Sequence, residues 1–201
     1  MIDPQVRAVL DELEAWGAQN DRVETDRSRK MLNLEPETAQ LVRALVAPRQ
    51  AQRILEIGTS NGYSTIWLAA SLAPGGRVIS LDRNAAKTAL AKTNLEKAGL
   101  ADRVELLTGD ATEIVAKLAA ELDAPFDVVF FDADRFSAPQ QLAILLPKLV
   151  PAALLLADNA LSHPEEIAGY LAAIGKLTDF ERAVVPVGKG LSVAFRVAQD
   201  S

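Results

Sequence analysis

The sequence predicts an α/β domain built on a doubly wound, mostly parallel, seven-stranded sheet that closes with an antiparallel hairpin. Three observations predict it. Short apolar runs alternate with stretches long enough for helices across the middle of the chain, the pattern of parallel strands joined by right-handed crossovers. The runs are nearly continuous in apolar character, as burial on both faces demands. The last two β-rich runs are joined by too few residues to hold a crossover helix, so they pair antiparallel.

In order, residues 4–16 and 35–46 have helical periodicity and flank a polar stretch, residues 19–30, whose only apolar member is Val23. That stretch reads as an exposed connection, either a solvated linker or a segment that moves over a site. Five strands follow at residues 53–57, 77–81, 103–107, 126–131 and 153–157. Helices are expected between the first four gaps, at residues 63–72, 85–98, 112–122 and 139–149. The hairpin pairs residues 181–186 with 191–197 across Val187-Gly188-Lys189-Gly190. Residues 1–201 read as one domain, with 1–50 as a helical lid segment and 51–201 as a ligand-binding core.

Composition narrows the chemistry. A chain of 201 residues, 49% hydrophobic, buries an ample core without staples. It has no cysteine, which removes disulfides, zinc thiolates and a thiol nucleophile, and fits a cytoplasmic location. The N-terminus lacks the apolar core of a signal peptide, and no apolar run is long enough to span a bilayer. A net charge of −6 argues against a general affinity for nucleic acid or anionic lipid.

The first strand runs into Glu56-Ile57-Gly58-Thr59-Ser60-Asn61-Gly62-Tyr63-Ser64. Gly58 and Gly62 allow a sharp turn and a close approach to a ligand. The spacing is G-x-x-x-G, not the G-x-G-x-x-G that seats a pyrophosphate. Glu56 lies in the approach to the turn, where it would repel a pyrophosphate but tolerate a cationic sulfonium ligand. Thr59 and Ser64 lie in the same turn. Asp82 ends the second strand, where a carboxylate can accept both hydroxyls of a ribose. Asp110, after the third strand, either accepts from an adenine amino group or caps the helix after it, with Glu113 completing a D-x-x-E box; both roles are compatible.

Two further strands end in acids, Asp132-Ala133-Asp134 and Asp158-Asn159. If those strands are neighbours, roughly 4.8 Å apart, Asp132 and Asp158 lie side by side and repel unless a cation or proton intervenes. With Asn159 they form an all-oxygen set suited to magnesium, calcium or manganese. The plainer alternative is that both acids merely cap loops.

The segments ILEIGTSNGYSTIWLA (54–69), FDVVFFDADR (126–135), ADNALSH (157–163) and VPVGKGLSVAFR (185–196) resemble the cation-dependent O-methyltransferases, a family that includes the catechol and caffeoyl-coenzyme A enzymes. The resemblance implies the class I methyltransferase fold, Rossmann-like, and S-adenosylmethionine as methyl donor. By motif, Glu56, Gly58, Ser64, Asp82, Ala111 and Asp134 resemble donor contacts, with Thr59, Gly62, Asp110 and Asp132 beside them. Asp132, Asp158 and Asn159 match metal ligands. Met31-Leu32-Asn33 falls where the family's N-terminal segment covers donor and substrate, so Asn33 is a candidate substrate contact. A homodimer is also implied.

The chain departs from the family at Arg135, where catechol-type members place a lysine base. An arginine cannot take a proton but can stabilise an oxyanion. The family's tyrosine is absent from Phe136-Ser137-Ala138-Pro139, and its Gly-Gly has become Ala152-Ala153. His163, the only histidine, lies near the substrate contact of plant members, or is an exposed first-turn residue inside a Ser162–Glu165 capping box. The expected reaction is in-line methyl transfer to a small hydroxylated aromatic, with Asp132 and Arg135 as its catalytic residues. Three other readings stay open here. The acidic chain disfavours methylation of hydroxylated RNA, the missing lysine and tyrosine suit a donor-binding protein without turnover, and the glycine spacing fits a nicotinamide dehydrogenase poorly.

Overall fold

Each expected apolar run is a strand in the computed structural model, which describes residues 2–197. The strands are β1 (Arg53–Ile57), β2 (Arg77–Asp82), β3 (Val104–Thr108), β4 (Phe126–Phe131), β5 (Leu149–Ala157), β6 (Phe180–Val185) and β7 (Leu191–Arg196). They form one sheet in the order β3-β2-β1-β4-β5-β7-β6. All pairings from β3 to β5 are parallel, and β7 runs antiparallel to both β5 and β6. The strand order reverses between β1 and β4, the position at which open α/β sheets bind ligands.

Successive side chains of a strand face opposite sides. Ile54, Val128, Phe130 and Leu156 therefore pack under α1 (Pro4–Val23), α2 (Pro36–Val46), α3 (Tyr63–Ala69) and α4 (Ala85–Lys97). Leu55, Ile57, Val129 and Leu155 pack under α5 (Ala111–Glu121), α6 (Ala138–Leu145) and α7 (Pro164–Gly175). Glu56 shares the α1–α4 side with Ile54, a carboxylate sealed in an apolar layer. None of the helices among the described residues is long and apolar enough to cross a membrane.

Three elements differ from expectation by four residues or more. The first helix continues through the polar residues to Val23, and only residues 24–35, which include a single turn at Arg27–Arg29, connect it to α2. Its last turn is held by tertiary hydrogen bonds that periodicity cannot register, described below. The fourth core helix ends at Leu145, because Pro147 closes it in a short tight turn. β5 begins four residues early, at Leu149, through a register shift against Phe126/Val128 that lets Pro151 sit in a strand.

Candidate active site

The carboxyl ends of β1, β2, β4 and β5 meet over a cleft of about 750 Å³, a usual size for a small-molecule site. The turn after β1 forms its floor. Gly58 has φ +118, and a side chain there would run into the backbone carbonyl of Asp132. Gly62 has φ +87 and lies against Ala91 at the start of α3. The Gly58 and Thr59 amides donate to the Leu81 carbonyl at 2.8 and 3.1 Å, and the Ser60 amide donates to Asp82 at 2.8 Å. The glycine corner is thus stitched to the end of β2. The other Asp82 oxygen accepts from the Asn84 amide at 2.8 Å, so its carboxylate is fixed at the cleft edge with lone pairs to spare.

Glu56 lies just beneath the floor rather than on it, and is fully buried. It accepts from the hydroxyls of Ser64 at 2.5 Å, Thr65 at 2.5 Å and Ser80 at 2.6 Å. Burial pushes its pKa up to about 7 although those hydroxyls pull the other way. Ser64 is the link upward, since it both lines the cleft and bonds Glu56. The Thr59 hydroxyl faces down to Ser80 at 2.6 Å, leaving its backbone to the cleft. Asp110 caps α5, accepting from the Thr112 and Glu113 amides at 2.9 and 3.0 Å, while it and Ala111 line the cleft, so both roles expected of Asp110 are compatible with its position.

Parallel pairing sets Phe131 beside Ala157, so the next residues, Asp132 and Asp158, leave neighbouring strands in register. The Asp132 amide donates to Ile57 and the Asp158 amide to Phe131, which extends the ladder to the acids themselves. Asn159, held at φ +67, directs its Nδ2 to Asp158 at 2.7 Å and to Asp132 at 3.5 Å. Burial, with the neighbouring acid, raises the Asp132 pKa well above the carboxylate range, and burial raises that of Asp158. One Asp158 oxygen is buried with no hydrogen-bond partner. Two crowded carboxylates, an orphaned oxygen and an amide nitrogen between them leave a burden of negative charge that Lys189 and Arg135 offset only in part. Turning the amide end for end presents its oxygen instead. The three side chains therefore fit a hard divalent cation. Among the described residues there is no cluster of three or more histidine, cysteine or acidic side chains, so the amide is needed to complete the set.

Other expected residues are placed less directly. The Arg135 side chain is largely buried and grips Glu166 through Nε at 3.0 Å and Nη2 at 2.8 Å. Asp134, exposed at the rim, accepts from Ser137 and from the Phe136 amide. Asn33 is among the residues lining the cleft, and its amide nitrogen donates to the Leu13 carbonyl at 3.0 Å beside Gly17. His163 lines the cleft as the N-cap residue of α7, with Nδ1 2.8 Å from Ser162. The expected Ser162–Glu165 box does not form, because the helix starts at Pro164 and Ser162 turns back to Asn159.

Lys189 was not anticipated. The hairpin tip docks on the loop after Asn159, with the Leu161 and Ser162 amides donating to the Lys189 carbonyl. This brings the ammonium into the cleft, 2.7 Å from Glu35. Burial opposes its charge, but the Glu35 carboxylate prevails and its pKa is raised. A signal was available, since β7 starts opposite Ala157 and its turn must therefore lie at the carboxyl edge. A second, shallower depression beside Arg7, Arg43 and Trp67 has no acid among its lining residues.

Residues 7–170 match the family model described as O-methyltransferase. A catechol O-methyltransferase of Niastella koreensis is 37% identical over 132 residues, 65% of this chain and 59% of that protein. One from Mycobacterium tuberculosis is 44% identical over 114 residues, 56% of this chain and 50% of that protein. The chain thus spans about half to three-fifths of the length of these curated relatives. A Bacillus cereus O-methyltransferase solved in complex with S-adenosylhomocysteine superposes with a TM-score of 0.82 at 29% identity, covering 94% of this chain and 90% of that one.

Proposed function

The chain belongs to the O-methyltransferase family, which it matches over residues 7–170, and on that premise we propose that it methylates a hydroxyl of a small catechol-like aromatic. S-adenosylmethionine is the donor in this reading, and a divalent cation held by Asp132, Asp158 and Asn159 assists. The observation that carries it is the register of β4 with β5, which sets two strained carboxylates beside the glycine corner.

The donor would lie along the corner, its ribose hydroxyls on Asp82, its adenine near Asp110 and Ala111, and its methionine end over Gly58 and Ser64. Glu56 supplies negative charge beneath that cationic end through Ser64. An acceptor oxygen forms its bond to the methyl carbon as the carbon–sulfur bond breaks, leaving neutral S-adenosylhomocysteine, so alignment is most of what the protein must provide. The bound cation would lower the pKa of the hydroxyl it meets. Arg135 cannot accept the departing proton, which passes to solvent water; its guanidinium, held in place by Glu166, would stabilise the oxyanion. Leu32 and Phe136, both exposed at the cleft, offer apolar faces to an aromatic ring. The same reading expects two copies to assemble and the protein to work in the cytoplasm, the first of which light scattering tests.

The test incubates the protein with S-adenosylmethionine, magnesium and a panel of vicinal aromatic diols, and detects methylated product by mass spectrometry. Product that disappears with chelator and returns with magnesium is expected. Full turnover in chelator removes the cation from the reading. Tight donor binding without turnover on any diol makes the chain a donor-binding protein instead.

A further inference from the structure

The Met31 and Leu32 amides, where the chain crosses the glycine corner, are both held by one carboxylate on the helix before them. Asp21, in the last turn of α1, accepts from the Met31 amide at 2.6 Å and, on its other oxygen, from the Leu32 amide at 2.7 Å. Two consecutive amides converging on one anion form a nest, an anion-binding turn of the backbone. Leu32, within that turn, stands in the left-handed region at φ +51. Leucine gains nothing locally from such a conformation, so it persists only where something outside the segment enforces it.

The other side of the segment faces the corner. The Met31 carbonyl accepts from the Ser60 hydroxyl at 2.6 Å, and the Ser60 amide donates to Asp82. One unbroken series of hydrogen bonds thus runs from Asp21 through Met31 and Ser60 to the carboxylate assigned to the ribose. Around Asp21, the Lys30 ammonium reaches the Asp21 carbonyl at 2.9 Å, and Asn20 bonds both the Asp21 carboxylate and the Arg29 carbonyl. Downstream, Asn33 is fastened separately to Leu13. Releasing Asp21 therefore loosens the segment before Asn33 and leaves α2 seated.

We propose that Asp21 is a positioning residue for the donor: by filling the Met31–Leu32 nest it assembles the lid over the glycine corner before the donor arrives. This rests on the donor-site reading above and adds to it a residue that does not line the cleft. A lid already in place spares the donor the entropy of ordering it, so affinity is what Asp21 controls. Chemistry at the acceptor side, governed by Asp132, Asp158 and Asn159, is not.

The test compares wild type with Asp21→Ala and Asp21→Asn. S-adenosylhomocysteine binding is measured by calorimetry, and donor KM and kcat are measured wherever turnover is found. Exchange of the Met31 and Leu32 amides is followed by NMR. Asp21→Ala is expected to weaken S-adenosylhomocysteine at least ten-fold and raise donor KM alike, while kcat at saturating donor changes less than two-fold. Asp21→Asn, which keeps one acceptor oxygen, falls between. In the unliganded wild type both amides are protected, and in Asp21→Ala they exchange rapidly until S-adenosylhomocysteine is added. Unprotected amides in the unliganded wild type overturn the proposal, as does unchanged affinity in Asp21→Ala. Equal losses in donor affinity, kcat and melting temperature overturn it too, since they mark a general structural role. If wild type itself fails to bind S-adenosylhomocysteine, the donor-site reading falls first and takes the proposal with it.

Discussion

Replacing Glu56 with glutamine isolates one buried charge without changing its shape. Burial raises the Glu56 pKa from 4.5 to about 7 in the folded chain, so the folded state binds the proton more tightly than the unfolded state. Stability from this group is fully present below about pH 4.5 and is lost as pH rises through about 7. At about 1.36 kcal/mol per pKa unit, a shift of roughly 2.5 units amounts to about 3 kcal/mol between pH 4.5 and pH 8. Glu56→Gln has no such titration. Urea unfolding of both proteins at pH 5, 6, 7 and 8, without donor, reads the difference directly. The glutamine variant should gain on wild type progressively with pH, by about 2.5 kcal/mol from pH 5 to pH 8. An offset from the three hydroxyls, one of which must turn to meet the new amide nitrogen, shifts all pH values equally. Asp158 titrates in both proteins and cancels, whereas Asp132, which the Glu56 charge pushes up, is relieved of that push in the variant. Parallel stability profiles would refute the reasoning, because Glu56 would then ionise as freely folded as unfolded. Donor binding supplies the complementary check: a cationic ligand above Ser64 favours ionised Glu56, so wild-type affinity should rise with pH through about 7 and that of the variant should not.

Three other substitutions probe separate parts of the site. Asp158→Asn removes the repulsion with Asp132, so it should raise stability in chelator but abolish the magnesium-induced rise in melting temperature. For wild type at one hundred times Kd that rise is about 5–10 °C, and an equal rise in the variant would place the cation elsewhere. Gly58→Ala forces a side chain against the Asp132 carbonyl at φ +118, and should cost about 2–4 kcal/mol in unfolding free energy along with donor binding; unchanged stability would contradict the close approach. Arg135→Lys substitutes a group able to release its proton, so the pH profile of kcat/KM should acquire an ionisation that wild type lacks. Superimposable profiles would show that position 135 takes no part in ionising the acceptor.

Much of the fold was legible because apolar runs with two buried faces carry their own boundaries. Residues 53–57 and 126–131 are strands over the limits read from the sequence. The adjacency of Asp132 and Asp158 followed once β4 and β5 were neighbours, although only the structure fixes that order. The start of β5 was hidden, since Val150-Pro151-Ala152 lies between the expected helix and the expected strand and joins the strand only through a register shift against β4. The end of α1 was hidden for a different reason. Asn20 and Asp21 look like linker, and what keeps them helical is a contact ten residues ahead in the chain. Side-chain direction was the other gap. Asn33 sits in the covering segment yet turns toward Leu13, and Glu56 sits in the glycine approach yet lies beneath the floor. Motif position gave the neighbourhood of both residues but not the way they face, which depends on packing from α1 and α3.

The most direct measurement is a crystal structure with S-adenosylhomocysteine and magnesium bound. The account expects the nucleoside along Asp82 and Asp110 beneath the Met31–Leu32 segment, its sulfur facing the acceptor space beside one metal ion held by oxygens of Asp132, Asp158 and Asn159. A ligand lying elsewhere, or an ion bound away from those three side chains, would contradict it.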